Sequence, residues 1–292
     1  MSAVETFGSR LGAAILQRGR LCVGIDPHSY LLEQWGLADT AAGAREFSLR
    51  VLDAAAGHAA AVKPQIAFYE RFGAAGYTVL EEVLVAAKQR ELLSIADVKR
   101  GDVGTSVQAY GDAWLRPGSP LESDAMTISV FQGFGSIVHP LQYTIDSGKG
   151  LFLLAATSNP EARDIQRARV GPEGVTVAAH IVNEAQGWNE RNRAVHPTEQ
   201  GDIGSVGVVL GATLDLEEYG VSIAAQRKPA LPVLAPGFGH QGAALSDAVR
   251  LFGSLTRATL VSESRSVLSA GPGAVASAVR ERAELVKREV AL

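Results

Sequence analysis

Short apolar runs punctuate the whole chain, each ending in Gly, Asp, Lys, Ser or Arg. Eight of them read as strands: Leu21–Asp26, Ala60–Gln65, Leu93–Lys99, Ala125–Phe131, Gly150–Thr157, Val206–Thr213, Pro232–Phe238 and Ala258–Arg265. Most are apolar almost throughout instead of alternating, which is the pattern of parallel strands buried on both faces. Helical spacing fills most of the gaps. Thr40–Ala56 puts Ala44, Phe47, Val51 and Leu52 on one stripe, and Phe72–Arg90 does the same with Val79, Leu80, Val83 and Leu84. Gly174–Asn189 and Pro272–Val290 repeat it with Val177, Ile181 and Val182, and with Val275, Val279 and Leu285. Eight strands alternating with helices predict an α/β fold, a closed (β/α)₈ TIM barrel in preference to an open sheet. An extra amphipathic helix, Thr6–Gln17, precedes the first strand and is placed to cover the barrel's N-terminal end.

No linker, low-complexity tract or charge block interrupts this pattern, so residues 1–292 are expected to form a single domain. The longest irregular stretches are Pro117–Asp124 and Asn189–Gly204, the second reading as a surface loop. Composition narrows the function classes. Hydrophobic content of 47% and charged content of 20% suit a soluble globular chain. A net charge of −4, without basic patches or clustered aromatics, argues against nucleic acid as a partner. No apolar stretch reaches the ~18 residues of a membrane span, and no signal peptide is evident. The only cysteine, Cys22, lies in an apolar run and reads as a core thiol, which fits a reducing cytoplasm. The tryptophans, Trp35, Trp114 and Trp188, are expected to pack helices or an interface.

Candidate chemistry collects at the strand ends, where barrels of this type build their sites. The richest is Asp97-Val98-Lys99-Arg100-Gly101-Asp102, which closes the third strand. Side-chain alternation would put Asp97 and Lys99 on one face, about 7 Å apart along the chain. Lys63 sits inside the second strand, and without a partner its buried ammonium would lose its proton. Asp97, one strand over, is the expected partner, giving an alternating Lys63–Asp97–Lys99–Asp102 charge network. As a structural ion-pair network it would be expensive, since an apolar core would serve as well. Ala235-Pro236-Gly237-Phe238-Gly239-His240-Gln241-Gly242 and Ser262-Glu263-Ser264-Arg265-Ser266 suit a phosphate: a Gly-rich loop, a following helix N-terminus and an Arg clamp. His240 is either a phosphate contact or a solvated loop residue. The histidines show no metal-ligand spacing, and no Gly-x-Gly-x-x-Gly or Walker loop suggests a nucleotide cofactor.

In this register the chain resembles the orotidine 5′-phosphate decarboxylase family, in its longer bacterial type 2 subgroup. The resemblance runs from Gly24-Ile25-Asp26-Pro27 through Val62-Lys63-Pro64-Gln65 and Asp97-Val98-Lys99-Arg100-Gly101-Asp102 to Pro236-Gly237 and Ser264-Arg265. It implies loss of CO₂ from orotidine 5′-phosphate to give UMP in de novo pyrimidine biosynthesis, with no cofactor and no metal. It also implies a cytoplasmic homodimer with shared active sites. By the same resemblance Lys63, Asp97, Lys99 and Asp102 match the charged tetrad, with Lys99 as proton donor and Asp102 reaching into the partner's site. Asp26 and Thr105 match ribose contacts, the latter on the partner's side, and Ser158 the pyrimidine contact. Gln241 and Arg265 match the phosphate grippers, with Gly237 and Gly239 shaping the mobile loop. Where that family leads one to expect an Asn-Pro-Tyr ending on the fourth strand, this chain has Ser129-Val130-Phe131-Gln132-Gly133. Two alternatives stand beside this reading. One is a Mg²⁺-dependent sugar-phosphate decarboxylase or aldolase of the same superfamily, such as 3-keto-gulonate-phosphate decarboxylase or hexulose-phosphate synthase. The other is a barrel that binds a phosphate ligand without catalysis.

Overall fold

The eight apolar runs form eight parallel strands closed into a barrel in which each neighbours the next along the chain and the last meets the first. The computed structural model describes residues 4–195 and 202–290. The barrel strands are β1 (Leu21–Ile25), β2 (Ala61–Pro64), β3 (Leu93–Arg100), β4 (Ala125–Ile128) and β5 (Gly150–Ala156), then β8 (Val206–Leu210), β9 (Val233–Pro236) and β10 (Thr259–Glu263). A short antiparallel hairpin, β6 (Arg169–Val170) and β7 (Val175–Thr176), stands outside the barrel.

Near-continuous hydrophobicity is explained by two cores sharing each strand. Leu21, Val23 and Ile25 face the surrounding helices, whereas Cys22 faces the barrel interior with Ile95, Phe152, Leu234 and Leu260. Burial pushes the Cys22 thiol pKa up to about 12, so it behaves as a core group.

The N-terminal helix, Phe7–Arg18, plugs the bottom of the barrel as expected. Thr6 caps it, its hydroxyl accepting from the Ser9 amide at 3.1 Å, and Gly19 (φ 81) ends it. Phe7, Leu11 and Ala14 are buried in the interior core, and the Phe7 ring meets Phe152 edge-on at 5.9 Å. Burying a side chain of this size is worth about 2 kcal/mol. Trp35 and Trp114 are buried, and Trp188 packs against Phe134, its Nε1 donating to Thr144.

Several boundaries differ from those the sequence suggests. β4 stops at Ile128, not Phe131: the Ser129 amide turns across to the Arg100 carbonyl at 2.7 Å, and Phe131 stands 82% exposed. The Asn189–Gly204 stretch is not a loop throughout, because the helix Val177–Val195 runs through its first part; residues 196–201 lie outside the described residues. Asn189 is buried and imitates a strand partner, its Nδ2 donating to the Val206 carbonyl and its Oδ1 accepting the Val206 amide. Helices Gly104–Trp114 and Val138–Asp146 bury Gly111, Pro140 and Thr144 on their inward faces, so they read poorly as apolar stripes in sequence. Between β8 and β9 the helix is replaced by a 3₁₀ turn, Leu216–Tyr219. Among the described residues no helix is long and apolar enough to cross a membrane.

Candidate active site

Above the packed interior layer, the strand ends open a cavity of about 430 Å³ at the C-terminal face. Lys63 follows inward-facing Ala61 by two residues, and Asp97 follows inward-facing Ile95 by two, so both project into it. Asp97 is the hub. Its Oδ2 accepts from Lys63 Nζ at 3.0 Å and from Gln65 Nε2 at 3.1 Å. Its Oδ1 accepts from Lys99 Nζ at 2.6 Å and from the Thr127 hydroxyl at 2.9 Å. Four donors therefore saturate one buried carboxylate.

These contacts fix the protonation states. Burial works against the Asp97 charge, but Lys63 and Lys99 overcome it and hold its pKa well below the usual carboxylate range. Burial likewise opposes the Lys63 charge, and Asp97 followed by Asp26 raises its pKa above the ordinary lysine value. The Lys99 side chain, by contrast, is 46% exposed, so its ammonium is held by Asp97 and still open to the cavity.

Simple strand alternation does not account for Lys99. Its φ is +48, a left-handed conformation uncommon for a residue with a side chain, and the β3–β4 register shifts between Ala96 and Arg100. The Lys99 amide leaves the ladder and donates to the Thr127 hydroxyl at 3.0 Å. Thr127 thus holds both the kink and the carboxylate, a role with no sequence signal because it lies inside an ordinary apolar strand.

Around the rim stand Asp26 after β1, Ser158 after β5, Gly237 and Gln241 after β9, and Arg265 after β10. Asp26 Oδ1 and Ser264 Oγ are buried with no hydrogen-bond partner, both on the cavity wall. Gly24 permits their approach, since a Cβ there would fall 2.8 Å from the Ser264 Cβ. Arg265 lines the cavity and makes no salt bridge among the described residues. The Gly-rich loop itself winds into a 3₁₀ turn, Gly239–Gln241; the helix that follows it, Ala248–Phe252, has five residues and does not line the cavity, and the one after β10 has four, Arg265–Leu268. Anion binding here would depend on side chains and loop amides more than on a helix dipole. Gly237 (φ 116) and Gly239 (φ 67) give the loop its shape, although Gly239 itself lies off the cavity wall. His240 lines the cavity from an exposed position, and His28 lines it from the β1 side. Burial lowers the His28 pKa; Asp26 raises it, and Arg265 and Arg71 lower it further.

Asp102 and Thr105 are not brought to this cavity. Asp102 turns back to accept the Val103 amide at 2.8 Å, and Thr105 is exposed on the helix Gly104–Trp114. Within one chain the network is therefore Lys63–Asp97–Lys99. Among the described residues no three His, Cys, Asp or Glu side chains are grouped to hold a metal ion.

Residues 19–279 match the model of the orotidine 5′-phosphate decarboxylase / HUMPS family. The chain is 44% identical over 273 residues to an orotidine 5′-phosphate decarboxylase of Corynebacterium efficiens, covering 92% of this chain and 91% of that protein. With the enzyme of the same name from a Nocardioides species, identity is 47% over 264 residues, covering 90% and 91%. Among solved structures, a Streptomyces avermitilis protein provisionally described as an orotidine 5′-phosphate decarboxylase superposes with a TM-score of 0.89 at 42% identity, covering 99% and 98%. OMP decarboxylase of Leishmania donovani superposes with a TM-score of 0.74 at 28% identity, covering 97% and 99%. The chain belongs to the orotidine 5′-phosphate decarboxylase / HUMPS family.

Proposed function

We propose that the chain removes CO₂ from C6 of orotidine 5′-phosphate to give UMP, using no metal or organic cofactor. The observation that carries this reading is the saturated Asp97 carboxylate joining two lysines at the base of the cavity. When the C6–CO₂ bond breaks, the electron pair stays in an sp² orbital at C6 that the ring cannot delocalise. What can stabilise it is charge already in place and already desolvated. Lys99 supplies that charge: its ammonium faces the cavity, pairs with C6 as the carbanion develops and transfers a proton to it. Asp97 orients both lysines and crowds the substrate carboxylate, and Lys63 keeps Asp97 ionised.

In the same reading Asp26 takes the ribose hydroxyls through its unpartnered Oδ1, and Ser158 takes the pyrimidine. Gln241 and Arg265 grip the phosphate, with Gly237 and Gly239 letting the loop close over it. Asp102 and Thr105 serve the site of a second copy in a homodimer, which is why they stand outside their own chain's cavity. In this reading the reaction serves UMP biosynthesis in the cytoplasm.

The rival in the same family is a Mg²⁺-dependent sugar-phosphate enzyme. Asp97 disfavours it, because both its oxygens are already committed to two donors each, and a metal would have to displace them. The test is loss of the orotate ultraviolet band in protein treated with a chelator. Turnover at the untreated rate supports the cofactor-free reading, and activity restored only by Mg²⁺ refutes it.

A further inference from the structure

A buried carboxylate lies beside the proposed phosphate site, where an anion is least welcome. Glu263 closes β10, and alternation along the strand turns it outward with Val261 while Leu260 faces the barrel interior. Its side chain has no solvent exposure. Arg282, on the helix Val275–Glu289, grips both oxygens, Nε donating to Oε2 at 2.7 Å and Nη2 to Oε1. Ser266, one residue beyond Arg265, donates its hydroxyl to the same Oε2. The turn Gly239–Gln241 lies against the pair: a Cβ on Gly239 would come within 3.0 Å of Arg282 Nη2 and 3.3 Å of Glu263 Oε2.

Unpaired, this carboxylate would repel an incoming phosphate and carry a large desolvation cost. The bidentate guanidinium cancels the charge and fixes the orientation at once. What remains is a rigid group touching both elements that carry the phosphate grippers, through Ser266 to Arg265 and through Gly239 to Gln241. We propose that Glu263 and Arg282 are positioning residues that hold Gln241 and Arg265 at the spacing a phosphate monoester requires. They act through those two side chains and not on the reacting atoms. The inference rests on the decarboxylase reading.

The test compares UMP with uridine, which differ only in the phosphate. In Arg282→Met the Kd for UMP should weaken by about 10- to 100-fold while that for uridine stays unchanged. KM for orotidine 5′-phosphate should rise with it and kcat fall less. Arg282→Met strands a buried charge and risks the fold, so Ser266→Ala, which removes only the hydroxyl's bond to Glu263, is measured beside it. It should shift the UMP-to-uridine ratio in the same direction by a few-fold. An unchanged ratio in Ser266→Ala, or a parallel loss of both ligands in either variant, overturns the proposal. Turnover of orotidine 5′-phosphate by the parent chain separates the two claims: its absence refutes the decarboxylase reading, whereas an active parent with an unchanged ratio refutes the positioning pair alone.

Discussion

Lys63 and Asp97, on neighbouring strands, meet at 3.0 Å in the base of the cavity, and each holds the other in its charged form. Both are buried, so neither charge has bulk water to fall back on. Asp97→Asn removes the counter-charge and leaves Lys63 desolvated and unpaired. It should lower the unfolding free energy by about 3–5 kcal/mol, read by urea denaturation at neutral pH. A loss below about 1 kcal/mol would mean that Lys63 finds another partner.

The same pair sets a pH signature. Asp97 has a depressed folded pKa, so its contribution is present above the unfolded value near ~4 and is lost as pH falls through the lower folded value. Lys63 has a raised folded pKa, so its contribution is full below the unfolded value near ~10.4 and is lost as pH rises through the higher folded value. Stability from the pair should be level between about pH 5 and 9, with losses confined to the limbs. Denaturation midpoints against pH should show a shallower acid limb in Asp97→Asn than in the parent. Identical acid limbs would contradict the assignment.

At the other end of the barrel, Gly8 lets the N-terminal helix lie against the chain before β8. A Cβ at that position would fall 2.0 Å from the Ile203 carbonyl oxygen and 2.7 Å from that of Gly204. Backbone cannot yield as a flexible side chain does, so Gly8→Ala must shift the helix that seals the interior core. The expected cost is about 1–3 kcal/mol, measurable as a lower Tm, with the affinity for UMP unchanged because the site is at the opposite face. Parent-like stability would show that the helix is not seated as described.

Much of this was legible in the chain and some was not, for identifiable reasons. The barrel strands announced themselves because parallel strands between two cores carry apolar side chains on both faces, as Leu21 to Ile25 do. Lys63 and Asp97 stood out because charges in such runs need partners. Strand alternation suggests the Asp97–Lys99 pairing, but the Lys99 ammonium reaches Asp97 through a left-handed kink instead. Thr127 and Arg282 were invisible, because their importance comes from contacts 30 and 19 residues away in sequence. The apolar run suggests a strand as far as Phe131, but β4 ends at Ile128 and the Phe131 ring faces outward.

Asp102 supplies a test of assembly. It lies outside its own chain's cavity, and the proposed homodimer brings it to the partner's. Lys99→Ala and Asp102→Ala subunits, each inactive alone, should regain activity when mixed, because one of the two sites in a heterodimer receives both intact residues. Heterodimers that form and remain inactive would refute the shared site.

In the proposed reaction the Lys99 ammonium, held by Asp97 at 2.6 Å and open to the cavity, stabilises and protonates the C6 carbanion. The most direct test of that role is kcat on orotidine 5′-phosphate for the parent and for Lys99→Ala, with the Kd for UMP measured on both. In Lys99→Ala kcat should fall by about 10³-fold or more while UMP affinity changes little. Substantial turnover by Lys99→Ala would contradict that role.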